Sequence, residues 1–587
     1  MQLSYNKFYN KFYNKLATIN RHQLLLGILI LATVGIVLRA VYLQLIHKDF
    51  LQEQGNERYL RVVEIPTHRG MILDRNGEPL AVSSPVDSIW AVPEALLENR
   101  ERLPALAQAL GMNAVELEQR LSERAEHEFV YLRRHLPPDT TQRVLALKIP
   151  GVYSQREYRR YYPTAEVTSH LLGFTDIDDV GQEGLELAFN DHLKGIPGSK
   201  RVIRDRLGHI VEDVEIMRVP EPGKPLLLSI DRRIQYLAYR ALKAAVQERD
   251  ASGASAVVLD VTTGEILAMV NQPAGNPNDR QQLNAALLRN RAVTDVYEPG
   301  STMKAFTASL ALESGAYKPE TPIDTRPGVL QIGRYFVKDV HNYGLIDVAR
   351  VISKSSNVGI SKIALSMPAQ KLWDLYRRLG FGTVSGLGFA GEQGGILKPY
   401  SSWGAIGHAN NAFGYGISVN TLQLAQAYAV LAAGGVRRPL SLLKRDQPPQ
   451  EEIRLLSEDT VQKVRTMLEM AVSEAGTGLK ASVPGYRVAG KTGTVHKIAH
   501  GHYAENRYRS LFVGMVPASH PRLVGVVMID EPRRGGYYGG VIAAPVFSKI
   551  MEGTLRILNI PPDALPNQNL LVATKPEETP SHLERSP

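Results

Sequence analysis

Ser301 stands three residues before Lys304 in Glu298-Pro299-Gly300-Ser301-Thr302-Met303-Lys304, and a run of good helix formers, AFTASLALESGAY, follows. On a helix, three-residue spacing puts hydroxyl and amine on one face, one turn apart. An unionised lysine there can take the serine proton, provided desolvation or a nearby cation first lowers its pKa from about 10.4. A serine at a helix start also brings backbone N–H groups towards a developing oxyanion. The chemistry is acyl transfer, with Ser301 as candidate nucleophile.

Spacing alone is a weak signal, and the chain holds its own counterexamples. Ser441 and Lys444 repeat S-x-x-K between Arg-Arg-Pro and a Pro-rich loop, with no helix to align them, so that copy reads as structural. Ser355-Ser356-Asn357 has a double in Ser418-Val419-Asn420, just before TLQLAQAYAVLAA, where Asn420 or Thr421 would cap a helix. Gly485 to Thr492 satisfies the phosphate-loop pattern G-x-x-x-x-G-K-[ST], which needs a strand before it and a helix starting at Lys-Thr. Here YRVA, inside the motif, reads as strand, and GTVHKIAHGHYAEN after it holds turn formers. ATP is therefore not the expected ligand.

In the other reading, Lys491-Thr492-Gly493-Thr494 is an edge strand beside a cleft. Lys491 supplies a fixed positive charge, Thr492 and Thr494 offer hydroxyl donors to a substrate carboxylate, and Gly493 lets substrate backbone come close. A second cation near Lys304 would also help keep that lysine neutral. His496, His500 and His502 lack an acidic partner at helical spacing and read as exposed loop histidines, so no metal site is expected.

Those residues need a scaffold, and 587 residues allow two to four domains. A hydrophobic fraction of 44% with 22% charged residues indicates a folded bulk. The net charge of +9 is scattered among Asp and Glu without a basic, aromatic-bearing stripe, so nucleic acid is not an expected partner. The absence of cysteine excludes disulfides, thiolate metal sites and Cys nucleophiles. Leu24 to Leu45 is apolar but for Arg39, long enough to span a bilayer if that side chain snorkels, and no A-x-A-like cleavage site follows. Lys7, Lys11, Lys15 and Arg21 precede it, which places the N-terminus in the cytoplasm and the rest outside. The repeated YNKF of that tail reads as an interfacial segment.

Beyond the anchor, residues 50 to about 220 hold no dense constellation of nucleophiles or ligands. Arg69 to Val82 reads as strand, Asn-Gly turn and strand, Gly181 to Lys200 as a Gly-bounded helix, and Val219 to Pro225 as a breaker cluster. Then come a helix capped by Asp231, a hairpin over Ser255–Val270, and strands at 486–494, 510–518 and 522–530. A helix over Pro545–Leu558 closes the fold. The expected fold class is a multidomain α/β (α+β) chain: about five antiparallel strands flanked by helices, with an all-helical subdomain from about 300 to 435. The expected limits are a tail at 1–23, an anchor at 24–45, a β-rich pedestal at 46–222, a catalytic domain at 223–560 and a disordered tail at 561–587.

S-x-x-K, S-x-N and K-T-G in that order, at 301, 355 and 491, resemble the set found in penicillin-recognising serine enzymes. RGMILDRNGEPLA and GQEGLELAFNDHLKGIPG are similar to the dimerisation or pedestal domain of class B penicillin-binding proteins. EPGSTMK, KSSNVGISKIAL, FGYGISVNTLQLA and YYGGVIAAPVF look most like the division-specific septal branch of that class. The resemblance implies a peptidoglycan D,D-transpeptidase with no cofactor or metal. Ser301 would attack D-Ala-D-Ala, Lys304 deprotonate it, Ser355 relay a proton and Asn357 hold substrate backbone. Lys491, Thr492 and Thr494 would anchor the carboxylate, and the N–H groups of Ser301 and Thr494 would form the oxyanion hole. Implied partners are stem peptides on a lipid-linked precursor, β-lactams bound covalently at Ser301, and a membrane glycosyltransferase with other division proteins, all at the septal inner membrane. The elongation-specific branch shares the three motifs and is one alternative; a membrane-anchored penicillin sensor or non-catalytic wall-binding protein is the other. Val495-His496 departs from the family, which often has a small residue after KTGT, and this bears on pocket shape.

Overall fold

The computed structural model describes residues 21–48, 60–204, 210–281, 284–499 and 502–564. The YNKF repeat and His500 lie outside these. The described residues begin with the helix Arg21–Val41, prolonged by one wider turn over Tyr42–Ile46. Its His22–Ile46 stretch, 25 residues whose most apolar 18-residue window has mean hydropathy 2.6, is long and apolar enough to cross a bilayer: at about 1.5 Å per residue it outreaches a hydrocarbon core of about 30 Å.

The chain divides into two compact units that are discontinuous in sequence, the first of which includes this helix: Met1–Thr67 with Ser88–Gln155 and Ile196–Glu221, and His68–Asp87 with Arg156–Gly195 and Pro222–Pro587. In the first, Leu60–Ile65, Gly198–Arg204 and Ile210–Arg218 make an antiparallel ladder. A separate core gathers Ile89, Leu96, Leu106, Leu117, Leu132 and Val144 from short helices and two strands. Asn113 caps one of those helices by accepting from the Val115 N–H.

The second unit is organised by helix α1 (Arg232–Arg249) and strands β1 (Gly253–Asp260), β2 (Ile266–Gln272), β3 (Ala489–Ala499), β4 (His502–Val516) and β5 (Leu523–Asp530). The strands are antiparallel in the order β2-β1-β5-β4-β3, which leaves β3 at an edge. Asp231 caps α1 as expected, accepting from the Arg233 N–H. The apolar runs of β1, β2 and β5 are buried on both faces, so successive residues serve opposite cores. Ala254, Ala256 and Val258 of β1 pack with α1 and with the closing helix Ala544–Ile557, whereas Val257 and Leu259 face the helical subdomain. Each such Val or Leu contributes about 1.5–3 kcal/mol on burial, so a charge at Val257 would break the layer.

The helical side is built from α2 (Lys304–Glu313), α3 (Asn357–Leu365) and α4 (Thr421–Ala432). All but one residue of α4 is buried, which explains its apolar circumference. Asn420 caps it in a capping box with Gln423, the structural role its S-x-N pattern suggested. The subdomain is not all-helical: it carries two short ladders, Pro322–Asp324 with Leu345–Asp347 and Val329–Ile332 with Tyr335–Lys338.

Three other expectations need correction. The single helix read over Gly181–Lys200 is two short ones, Gly184–Ala188 and Asn190–Leu193, and Gly198 begins a strand. The break follows Glu186, whose carbonyl accepts from Arg69 Nη2 (2.6 Å) while its carboxylate accepts from Arg69 Nε and Arg160 Nε (2.6 Å each), all buried. The strand read from 486 starts at Ala489 and runs through the stretch read as turns, because Val495 and His496 pair with Arg509 and Tyr508 across β4. The tail read as disordered from 561 is still docked at Asp563, which accepts from the Arg487 and Ser519 N–H groups. Residues from 565 lie outside the described ones.

Candidate active site

Ser301 lies in a tight helical turn, Gly300–Met303, that runs straight into α2. The turn is seated by backbone: the Gly300 N–H donates to the Gly414 carbonyl at 3.0 Å. Gly300 has φ +56°, and a Cβ there would come within 2.4 Å of Val495 Cγ1. Val495 is thus buried behind the Ser301 turn, and its size shapes the support of Ser301 rather than the open pocket. Gly493 answers to the same packing. A Cβ there would meet the Pro299 carbonyl at 3.0 Å and Thr302 Cγ2 at 3.1 Å, so it admits the Ser301 turn against β3, in place of the substrate contact expected of it.

Lys304 points away from solvent, with none of its surface exposed. Its Nζ contacts the Ser355 carbonyl (2.6 Å), Asn357 Oδ1 (2.7 Å) and Ser355 Oγ (3.1 Å). A neutral amine has two N–H donors and one lone pair. The two acceptors account for the donors, which leaves the lone pair for a hydroxyl. Burial is the largest cause holding Lys304 well below the ordinary lysine range; the Lys491 charge adds to it and Asp339 opposes it. Lys491 is equally enclosed, and burial pushes it down to about 7. Its Nζ makes only long contacts, to the Thr492 carbonyl (3.4 Å) and Thr492 Oγ1 (3.5 Å). The fixed positive charge expected of Lys491 is therefore a titrating one.

Ser355 adopts φ +60°, a left-handed conformation that costs a β-carbon residue energy and here turns both its oxygens towards Lys304. Asp339, at the end of the Tyr335–Lys338 strand, holds the residues that follow. Its carboxylate accepts from Ser356 Oγ (2.6 Å) and from the Asn357 and Val358 N–H groups (2.5 and 3.0 Å) at the start of α3. Sequence reasoning missed Asp339: a lone acid 16 residues before the S-x-N motif carries no local signal.

Ser301, Ser355, Asn357, Thr492 and Thr494 line one cleft of about 780 Å³; Lys304, Lys491 and Gly493 lie beneath its surface. Alternation along β3 separates them, turning Thr492, Thr494 and His496 to the cleft and Gly493 and Val495 to the Ser301 turn. Thr492 Oγ1 pairs with Thr477 Oγ1 (2.9 Å), and Thr494 Oγ1 accepts from the Gly539 N–H (3.0 Å), leaving its own hydrogen to donate. An aromatic wall completes the cleft: His496 leans on Tyr508 (4.5 Å between centroids), which stacks on Tyr537 at 4.0 Å. His496 therefore belongs to a strand and to the cleft, not to an exposed loop. Among the described residues no group of three or more His, Asp or Glu is arranged to hold a metal ion.

The other serine pairs sit elsewhere. Ser441 is in a loop where its Oγ donates to the Leu443 carbonyl at 2.7 Å. After Lys491-Thr492 the chain continues as strand, so no helix N-terminus is there to receive a phosphate.

Comparison with known proteins gives two family matches. One, described as "Penicillin binding protein transpeptidase domain", covers residues 254–552; the other, "Penicillin-binding Protein dimerisation domain", covers 64–228. The chain is 43% identical over 545 residues to a "Probable peptidoglycan D,D-transpeptidase PbpC" of Pseudomonas aeruginosa, spanning 93% of this chain and 96% of that one. It is 42% identical to the "Peptidoglycan D,D-transpeptidase FtsI" of Escherichia coli, over 93% of each chain. Among solved structures, the transpeptidase domain of penicillin-binding protein 3 from Burkholderia pseudomallei matches with TM-score 0.54 and 43% identity, over 58% of this chain and 98% of that one. A peptidoglycan synthetase from Bifidobacterium adolescentis matches with TM-score 0.69 and 25% identity, over 86% and 98%.

Proposed function

Since the chain belongs to the penicillin-binding transpeptidase family, with dimerisation and transpeptidase domains both matched, we propose that its cleft works as a Ser301–Lys304 acyl-transfer centre. The enzyme is a serine-type peptidoglycan D,D-transpeptidase that crosslinks the stem peptides of the cell wall, and its likeness to FtsI fits a role in division. The observation that carries the site assignment is the state of Lys304: enclosed, unpaired with any carboxylate among the described residues, and one turn from Ser301.

Neutral Lys304 takes the proton of Ser301 Oγ, which attacks the carbonyl carbon of the penultimate D-Ala. The N–H groups of Ser301 and Thr494 receive the oxyanion. Collapse breaks the bond to the terminal D-Ala, and the proton passes through Ser355 to its departing amine. Asn357 holds the donor backbone, and Thr492 and Thr494 take the terminal carboxylate, with protonated Lys491 supplying charge behind them. The amine of a second stem peptide then attacks the ester carbonyl and gives its proton to Lys304; the bond to Ser301 Oγ breaks, Lys304 returns that proton to the serine, and the crosslink is formed. A β-lactam enters by the same attack, but its ring-opened leaving group stays attached, so the ester persists.

The proposed setting is a single-pass inner-membrane protein at the septum, with residues 1–23 cytoplasmic, the anchor at 24–45 and the pedestal and catalytic domains, 46–222 and 223–560, outside. The basic residues before the anchor support that orientation. A membrane glycosyltransferase and other division proteins are the proposed partners, and a lipid-linked precursor the proposed source of substrate. Incubation with that precursor and a polymerising glycosyltransferase should give crosslinked muropeptides and free D-Ala, both absent with Ser301→Ala. Crosslinks formed by that variant would overturn the assignment.

A further inference from the structure

Glu298 lies three residues before Ser301 and is buried, 9% exposed, yet no Lys or Arg pairs with it among the described residues. Its carboxylate has two fixed donors. Gly416 N donates to Oε1 at 2.8 Å, and the Tyr503 hydroxyl reaches Oε2 at 3.0 Å and Oε1 at 3.2 Å. Gly416 closes the turn whose Gly414 carbonyl receives the Gly300 N–H, and Gly414 itself fits so closely that a Cβ would stand 2.1 Å from the Gly300 carbonyl. Tyr503 belongs to β4, opposite Ile498 of β3 and within 6.3 Å, ring to ring, of His496. One carboxylate thus ties together the turn bearing the nucleophile, the turn beneath it, and the β3–β4 pair that carries Thr494 and His496. It does not line the cleft.

The geometry points to Glu298 as a positioning residue that, through Tyr503, sets the span between Ser301 and the Thr494–His496 edge. Acyl transfer needs the hydroxyl and the carboxylate anchor at a fixed separation, and a small error there costs rate more than binding. Burial raises the Glu298 carboxyl, and the Gly416 and Tyr503 bonds and Arg509 counter it, so the donors are what keep it in place. The proposal rests on the Ser301 assignment above.

The test is progress-curve acylation of the full-length protein by a fluorescent penicillin, separating the binding constant from the rate constant of acyl formation. Tyr503→Phe should slow acyl formation about ten-fold, the scale of one lost charge-assisted hydrogen bond, with binding within about two-fold and the melting temperature lowered by no more than about 5 °C. Glu298→Gln keeps an acceptor for Gly416 and a partner for Tyr503 and should retain most of the rate. Glu298→Ala should be at least as slow as Tyr503→Phe, and the double variant no slower than Glu298→Ala alone. Wild-type acyl formation in Tyr503→Phe, or multiplicative losses in the double variant, would overturn the proposal. If Glu298→Ala fails to fold, Tyr503→Phe against Glu298→Gln still decides. Ser301→Ala runs in parallel: labelling of that variant would overturn the nucleophile assignment, whereas silence there with a fast Tyr503→Phe overturns only the Glu298 role.

Discussion

Replacing Lys491 by methionine should make the protein more stable while abolishing its acylation. Lys491 is fully enclosed, and burial moves its amine from 10.5 in the open chain down to about 7. Between those values the unfolded chain holds a proton that the folded one does not. Stability is therefore fully present above pH 10.5 and lost progressively as pH falls towards 7. With 1.36 kcal/mol per pKa unit, the lysine costs about 4 kcal/mol at pH 7.5 and only about 1 kcal/mol at pH 10. Methionine, similar in length and apolar, fills the channel without that charge. Differential scanning calorimetry of Lys491→Met should then show a melting temperature on the order of 5–10 °C above wild type at pH 7.5, shrinking to about 2 °C at pH 10. An equal or lower melting temperature at pH 7.5, or a gap that does not shrink, would refute the reasoning.

Burial first and the Lys491 charge second hold Lys304 well below the ordinary lysine range. The base limb of acyl formation should therefore level off below the ordinary lysine pKa of about 10.4; a rate still rising about ten-fold per pH unit up to that value would contradict a lowered Lys304. Gly300→Ala adds a methyl against Val495 at φ +56° and should slow fluorescent-penicillin labelling sharply. Val495→Ala in the same chain should recover part of it, since the contact is relieved while backbone strain of about 1–2 kcal/mol stays. Wild-type labelling by Gly300→Ala would show that the turn adapts. Glu186→Gln removes the carboxylate that pairs with both buried guanidinium groups, Arg69 and Arg160, and should cost about 3–5 kcal/mol in urea unfolding. An unchanged midpoint would mean that Arg69 and Arg160 are satisfied without it.

The three motifs were readable because each is local: a helix start at Ser301, a helix cap beside Ser355, an edge strand at Lys491. Context rather than spacing separated Ser301 from Ser441, and the structure supports that separation through the loop around Ser441. The five-strand layer was legible because β1, β2 and β5 are continuous apolar runs, whereas β3 beyond Thr494 interrupts its apolar residues with His496 and Lys497 and is held by cross-strand pairing, notably His496 on Tyr508. Asp339, Glu298 with Tyr503, and the inward turn of Gly493 were not legible. Each acts through a partner 16 or more residues away, and the partner, not the residue type, defines the role. The helix over Gly181–Lys200 failed for the same reason: Arg69 takes the carbonyl that the helix needed.

The central claim is that Ser301 is the nucleophile of a transpeptidase. Its most direct test is to incubate the full-length protein with a fluorescent penicillin, digest it, and map the added mass. The account predicts one acyl group on Ser301 and none on a Ser301→Ala variant that melts like wild type. Label on any other residue, or equal labelling of the variant, would contradict it.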